Sequence, residues 1–172
     1  IEVGVDEKHH VAEGYDANVL LRWGDKVFGD SPDFDPMNQT AASQARQFGY
    51  NNDYVGFIPL DNNPDHGLLV VNHEYTNAEI MFPNWATIGK DGEGKDKVNM
   101  GEFTKELVDI EMAAHGGTVI EIKREGGKWS PVLDGKMNRR ITLDTEMMMT
   151  GPAAGHARVK TNADPSGMKV LG

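Results

Sequence analysis

A mainly β fold with helical insertions is what this sequence predicts, on three observations. Short apolar or alternating runs at 54–60 (YVGFIPL), 67–71 (GLLVV) and 118–123 (TVIEIK) have strand length and strand periodicity. Turn residues punctuate them, with Asn, Asp and Pro in DNNPD (61–65) and paired glycines in EGGK (125–128). Only two stretches, 40–48 and about 102–114, read as helical. Short strands joined by turns fit an antiparallel architecture, with antiparallel α+β as the alternative. The opening blades of a β-propeller are one such arrangement, and the pattern alone does not select it.

The elements follow in order. Residues 17–23 (ANVLLRW) form a compact apolar run stopped by Gly24-Asp25 and predict a strand. Residues 29–38 carry Asp, Ser and Pro at short intervals and predict a loop. Good helix formers fill 40–48, and Gly49 suits a left-handed helix cap. The strand at 54–60, the turn at 61–65 and a strand at 67–71 buried on both faces come next. Residues 90–99 predict a polar loop, with Asn99 three residues before Glu102 as a variant capping box. Phe103, Leu107, Ile110 and Ala114 then lie on one helical face, ended by His115-Gly116-Gly117. Strands at 118–123 and 129–133 pair across Gly126-Gly127, and 138–143 (NRRITL) is a further candidate strand. The Met run 147–149 is read as core or turn packing.

Composition narrows the function. The 172 residues, 38% hydrophobic and 26% charged, suit one globular segment. Seventeen basic against 27 acidic residues leave a net charge of −10, which repels phosphate backbones and anionic lipid. No nucleic-acid or membrane partner is expected, and no run is apolar enough to span a bilayer. The absence of cysteine excludes disulfides, a thiol nucleophile and cysteine-based zinc sites within this sequence. A start at Ile1 without a basic or apolar leader suggests a processed or excised segment.

Two groups of residues carry chemistry. Asn72-His73-Glu74 follows directly on the GLLVV run, where a rigid strand end can fix ligands. Glu74 offers hard oxygens suited to Ca²⁺, Mg²⁺ or Fe³⁺, and His73 an imidazole for transition metals. Asn52 and Asp53, in the run 50–54 (YNNDY), offer side-chain oxygens to a cation or form an Asx-turn. Arg139 and Arg140 are candidate phosphate clamps, though strand alternation sends them to opposite faces. Two near matches fail. Residues 91–102 have the length of an EF-hand loop but Lys95 at a ligand position and Asp96 where glycine is required. GPAAGH (151–156) lacks the ending of a phosphate loop and reads as a turn.

Several segments together resemble the PhoX-type alkaline phosphatases. They are VAEGYDANVLLRWGD (11–25), FDPMNQTAASQARQFGYNNDYVGFIPL (34–60), GLLVVNHEYTNAEIMFP (67–83), MAAHGGTVIEIKREGGKW (112–129), NRRIT (138–142) and TGPAAGHARVKT (150–161). FGYNND and VVNHEYTN are the most specific.

The resemblance implies a β-propeller phosphomonoesterase of low substrate specificity, exported to the bacterial periplasm or beyond, that scavenges phosphate with a calcium and iron centre. Family members are several times longer, and one of their metal ligands is a cysteine thiolate. The expectation is therefore that residues 1–172 are the N-terminal portion of a larger propeller. The remainder of the parent chain would be the partner and a phosphate ester the substrate, with this segment alone inactive. Glu74 is the leading metal ligand, Asp53, Asn52, Asn72 and His73 follow, and Arg139 or Arg140 neutralises phosphate charge. The rival reading is a non-catalytic, cation-stabilised binding or structural module.

Overall fold

The structure, a computed structural model, describes residues 4–162 and 164–171. Ile1 and Gly172, on which the readings of the chain ends rest, lie outside the described residues. In chain order the elements are α1 (Ala41–Gln44), β1 (Val55–Leu60), β2 (Asn63–His73), α2 (Ala78–Met81), β3 (Ala86–Lys90) and β4 (Asp96–Met100). They continue with α3 (Lys105–Ala114), β5 (Gly116–Glu125), β6 (Lys128–Pro131), β7 (Arg139–Ile141), β8 (Glu146–Met148), a 3₁₀ turn (Ala157–Val159) and β9 (Lys169–Leu171). The protein is mainly β, its helices are short, and every strand pair is antiparallel.

One sheet organises the chain, in the order β1-β2-β5-β6, with β7 sharing the β5 edge. The β1–β2 hairpin turns on Asp61 and Asn62 alone, at φ +52° and +56°. Such mirror-image turns match the twist of their strands, so pairing resumes at Asn63 instead of after Asp65. Gly126 and Gly127 close the β5–β6 hairpin at φ +57° and +83°, as the paired glycines predict. Between β6 and β7 the Glu121 carbonyl still accepts from the Val132 amide, but the Glu121 amide has no strand partner and Asn138 takes that place. Its Oδ1 accepts from the Glu121 amide at 2.8 Å, while its Nδ2 donates to Val27 and Val132 carbonyls at 2.9 and 2.8 Å.

Strand register sets Leu69, Val71, Thr118, Ile120 and Ile122 on one face. Residues 20–48 lie across that face, and Val27 and Phe48 join Val71, Ile120 and Ile122 in the main core. Full burial of a side chain such as Ile120 stabilises by about 1.5–3 kcal/mol. A second core gathers Met81, Phe82, Ile110 and Ala114 with Trp23, Tyr50 and Trp85.

Several expectations are corrected. Residues 17–23 are not a strand: Leu20 and Leu21 pack on the core, but no strand among the described residues pairs with them, and the Asp25 amide closes a turn onto the Arg22 carbonyl. The helix over 40–48 is the single turn α1, capped reciprocally by Thr40 and Ser43 and ending at Ala45, not at Gly49. β2 is buried on one face only, since Leu68 and Val70 stay half-buried on the other. The polar loop 90–99 contains most of the β3–β4 hairpin, whose largely exposed strands gave no burial pattern to read. Asn99 therefore pairs with Thr87 in that hairpin, and Thr104 caps α3 with its Oγ1 accepting from Leu107. Phe103 falls outside α3, exposed and edge-on to Trp85, whereas Ile110 and Ala114 are buried as expected. Met147 and Met148 sit exposed in β8.

Candidate functional site

The two ligand groups meet at the end of β2. Loop 50–54 (Tyr50 to Tyr54) is bound along the strand end by backbone and side-chain bonds. The Glu74 amide donates to the Asn51 carbonyl at 3.2 Å and the Asn72 amide to the Tyr54 carbonyl at 3.3 Å. Asn51 takes a left-handed φ of +43°, the turn geometry that the Asn-Asn-Asp series suggested. The Asn72 side-chain oxygen accepts from the Asp53 and Tyr54 amides at 3.0 and 2.6 Å.

His73 lies beneath this loop and is 2% exposed. Its Nε2 accepts from the Gly49 amide at 3.3 Å and meets the Thr118 hydroxyl at 2.7 Å. A backbone amide only donates, so Nε2 carries a lone pair and Nδ1 the proton. That proton goes to Asn52 Oδ1, 3.1 Å away. Burial, followed by the nearby Arg140 charge, pushes the imidazole down to about 3, so it is neutral at physiological pH. The ring meets Phe48 edge-on at 4.8 Å. Gly49 is required here because of this contact: a Cβ would stand 2.4 Å from the His73 ring.

Arg140 anchors the same region from below. Its guanidinium donates to the carbonyls of Gln47 (2.9 Å), Ala113 (2.7 Å), His115 (2.9 Å), Gly117 (3.1 Å) and Ile141. Burial lowers its pKa to about 10, which leaves it charged at neutral pH. The guanidinium is thus engaged by the end of α3 and the start of β5. Arg139 projects from the opposite face of β7 and is exposed.

Glu74 and Asp53 differ from all of these. Both are exposed, and neither carboxylate meets a hydrogen-bond partner among the described residues. Asn52 is exposed but its side-chain oxygen is given to His73. No group of three or more His, Cys, Asp or Glu side chains that could hold a metal occurs among the described residues. The two free carboxylates suit a hard cation in donor type but do not complete a shell for calcium, which takes about 6–8 oxygens. A calcium and iron centre therefore does not fit the described residues alone.

Sequence reasoning missed Thr118 and Gly49 as partners of His73. Thr118 is a polar residue on the inward side of an alternating apolar strand, and that was a readable signal; Gly49 was read as a helix cap.

Architecture and site define an antiparallel, mainly β protein whose strand-end rim presents carboxylates on a hydrogen-bonded frame. The profile of the family described as alkaline phosphatase PhoX matches residues 1–172, and the chain belongs to that family. Among solved structures it is similar to Pseudomonas fluorescens PhoX in complex with vanadate, a transition state analogue, at 36% identity and a TM-score of 0.75. That likeness covers 93% of this chain and 25% of the other, so the chain spans about a quarter of that relative's length. No curated protein matches.

Proposed function

We propose that this chain is the N-terminal portion of a longer phosphatase that hydrolyses phosphate monoesters, and that it does not hold the catalytic centre by itself. The family match over residues 1–172, joined to the likeness to a protein solved with a transition state analogue, carries this reading. Vanadate adopts the five-coordinate geometry of phosphoryl transfer, and sites that hold it are built for that transition state. Under the same reading the sheet is part of a β-propeller, the whole protein uses calcium and iron, and it scavenges phosphate in the periplasm or outside the cell.

Within this segment, Glu74 and Asp53 are the oxygens available to a metal centre that residues beyond the segment complete. Asn52, Asn72 and His73 support them instead of serving as ligands, because their polar atoms are already engaged. Arg139 is the arginine free to meet a phosphate; the Arg140 guanidinium serves the frame.

A second reading, a cation-stabilised module without catalysis, is favoured by the absence of a three-residue ligand group among the described residues. Hydrolysis of an aryl phosphate, with metal analysis, separates the two. The longer protein should turn over and be inhibited by vanadate, and the 172-residue chain should not turn over with calcium and iron supplied. A longer protein that binds metal without hydrolysis would favour the module. Turnover by the 172-residue chain would show that the segment suffices.

A further inference from the structure

Residues 52–54 are exposed, so burial does not fix the loop that carries Asp53. Its backbone also includes Asn51 at φ +43°, a conformation that needs holding. The holding comes from two side chains of β2. Asn72 Oδ1 takes the Asp53 and Tyr54 amides, and His73 Nδ1 donates to Asn52 Oδ1 at 3.1 Å. His73 can act as an anchor because it is itself fixed on three sides, by the Phe48 ring, the Gly49 amide and the Thr118 hydroxyl.

We propose that His73 and Asn72 are positioning residues, which hold loop 50–54 against the end of β2 so that Asp53 and Glu74 are presented from one rigid rim. Its consequence for turnover rests on the phosphatase reading; the holding itself does not. An imidazole whose nitrogens are both engaged has no lone pair for a metal, so His73 acts through Asn52 and not on a ligand or substrate. Outer partners of this kind orient the groups that do bind, and their loss typically lowers metal affinity or activity by about 10- to 100-fold.

The substitution His73→Gln keeps one donor and one acceptor and removes the imidazole; His73→Phe keeps the bulk and removes both. Asn52→Ala breaks the same bond from the exposed side and serves if His73→Phe does not fold. Hydrogen exchange at the Asp53 and Tyr54 amides is read first, with the β2–β5 ladder as internal control. Asn72→Ala, His73→Phe and Asn52→Ala should each reduce protection of those two amides by about 10-fold. The Gln variant should restore most of it. Aryl phosphate turnover by the longer protein is read second, and should fall in His73→Phe and recover in His73→Gln. Unchanged protection in His73→Phe or Asn52→Ala would overturn the holding role. Loss of turnover in His73→Gln with protection intact would make the imidazole a ligand and overturn the proposal. An inactive parent protein with the expected exchange pattern would leave the holding role standing and remove only the phosphatase reading.

Discussion

The rim at the end of β2 and the seam beneath it draw on neighbouring residues and treat charge in opposite ways. In the seam, Arg140 is half-buried as a residue and its guanidinium donates its hydrogen bonds to backbone carbonyls. On the rim, Asp53 and Glu74 are exposed and meet no partner among the described residues. A charge withdrawn from water persists only when its hydrogen bonds are made, so Arg140 belongs to the fold. An exposed charge on a fixed backbone costs the fold little and stays available to a ligand. A charged residue near a site is therefore assigned by what its polar atoms already touch, not by its type.

Removing Arg140 is the largest expected effect. Arg140→Met strands carbonyls from Gln47, Ala113, His115 and Gly117, and should cost about 3–5 kcal/mol in urea unfolding. Arg139→Met, on the exposed face, should stay within about 0.5 kcal/mol. Equal costs for the two would break the contrast between seam and rim.

Gly49→Ala tests how tightly the seam is packed. The new methyl would stand 2.4 Å from the His73 ring and 2.5 Å from the Ala114 carbonyl. One neighbour is backbone and the other a ring held by hydrogen bonds to Gly49, Asn52 and Thr118, so overpacking should cost about 1–3 kcal/mol, read as a lower urea midpoint at constant slope. A neutral outcome would mean that His73 has freedom to shift, and the rim would then be less rigid than its bonds imply.

Acid should weaken the seam. His73 titrates near 3 in the fold, below the ordinary imidazole value of 6.5. Unfolded chain therefore takes up a proton as pH falls through 6.5 while the fold does not. This contribution to stability is whole above that pH and is lost progressively toward 3, with a slope of up to about 1.4 kcal/mol per pH unit. Carboxylates titrate over part of the same range, so the measurement is the difference between parent and His73→Gln. Equal pH slopes in both proteins would show that His73 is not held neutral.

Much of the sheet was legible because its residues alternate and its turns use residues that accept positive φ. TVIEIK and the paired glycines predicted the β5–β6 hairpin, and its inward side chains are the core. Residues 17–23 misled for the opposite reason: an apolar run reports burial, not hydrogen bonding, and here burial comes without a ladder. The β3–β4 hairpin was invisible because its strands face water nearly throughout. At the candidate site, sequence singled out a stretch whose members it could not rank. Asn72, His73 and Glu74 are consecutive, yet the first two are engaged by loop 50–54 and only the third is free. That sorting depends on residues 18 to 45 positions away, from Tyr54 to Thr118, which local pattern does not reach.

The smallest expected effect on stability sharpens the contrast most. Glu74→Gln and Asp53→Asn each remove a negative charge from an exposed side chain with no partner among the described residues. Neither change empties a core or leaves a buried group unmatched, the mechanisms behind large losses, so each should stay within about 0.5 kcal/mol in urea unfolding. Relief of repulsion in a chain of net charge −10 could even make the change slightly stabilising. On the proposed phosphatase reading, the same two substitutions should lower aryl phosphate turnover by the longer protein, since a neutral amide oxygen holds a hard cation less strongly than a carboxylate does. Stability kept and turnover lost is the signature of a residue held for function. A loss of stability above about 1 kcal/mol in either variant would place that carboxylate with Arg140, among the charges the fold itself depends on.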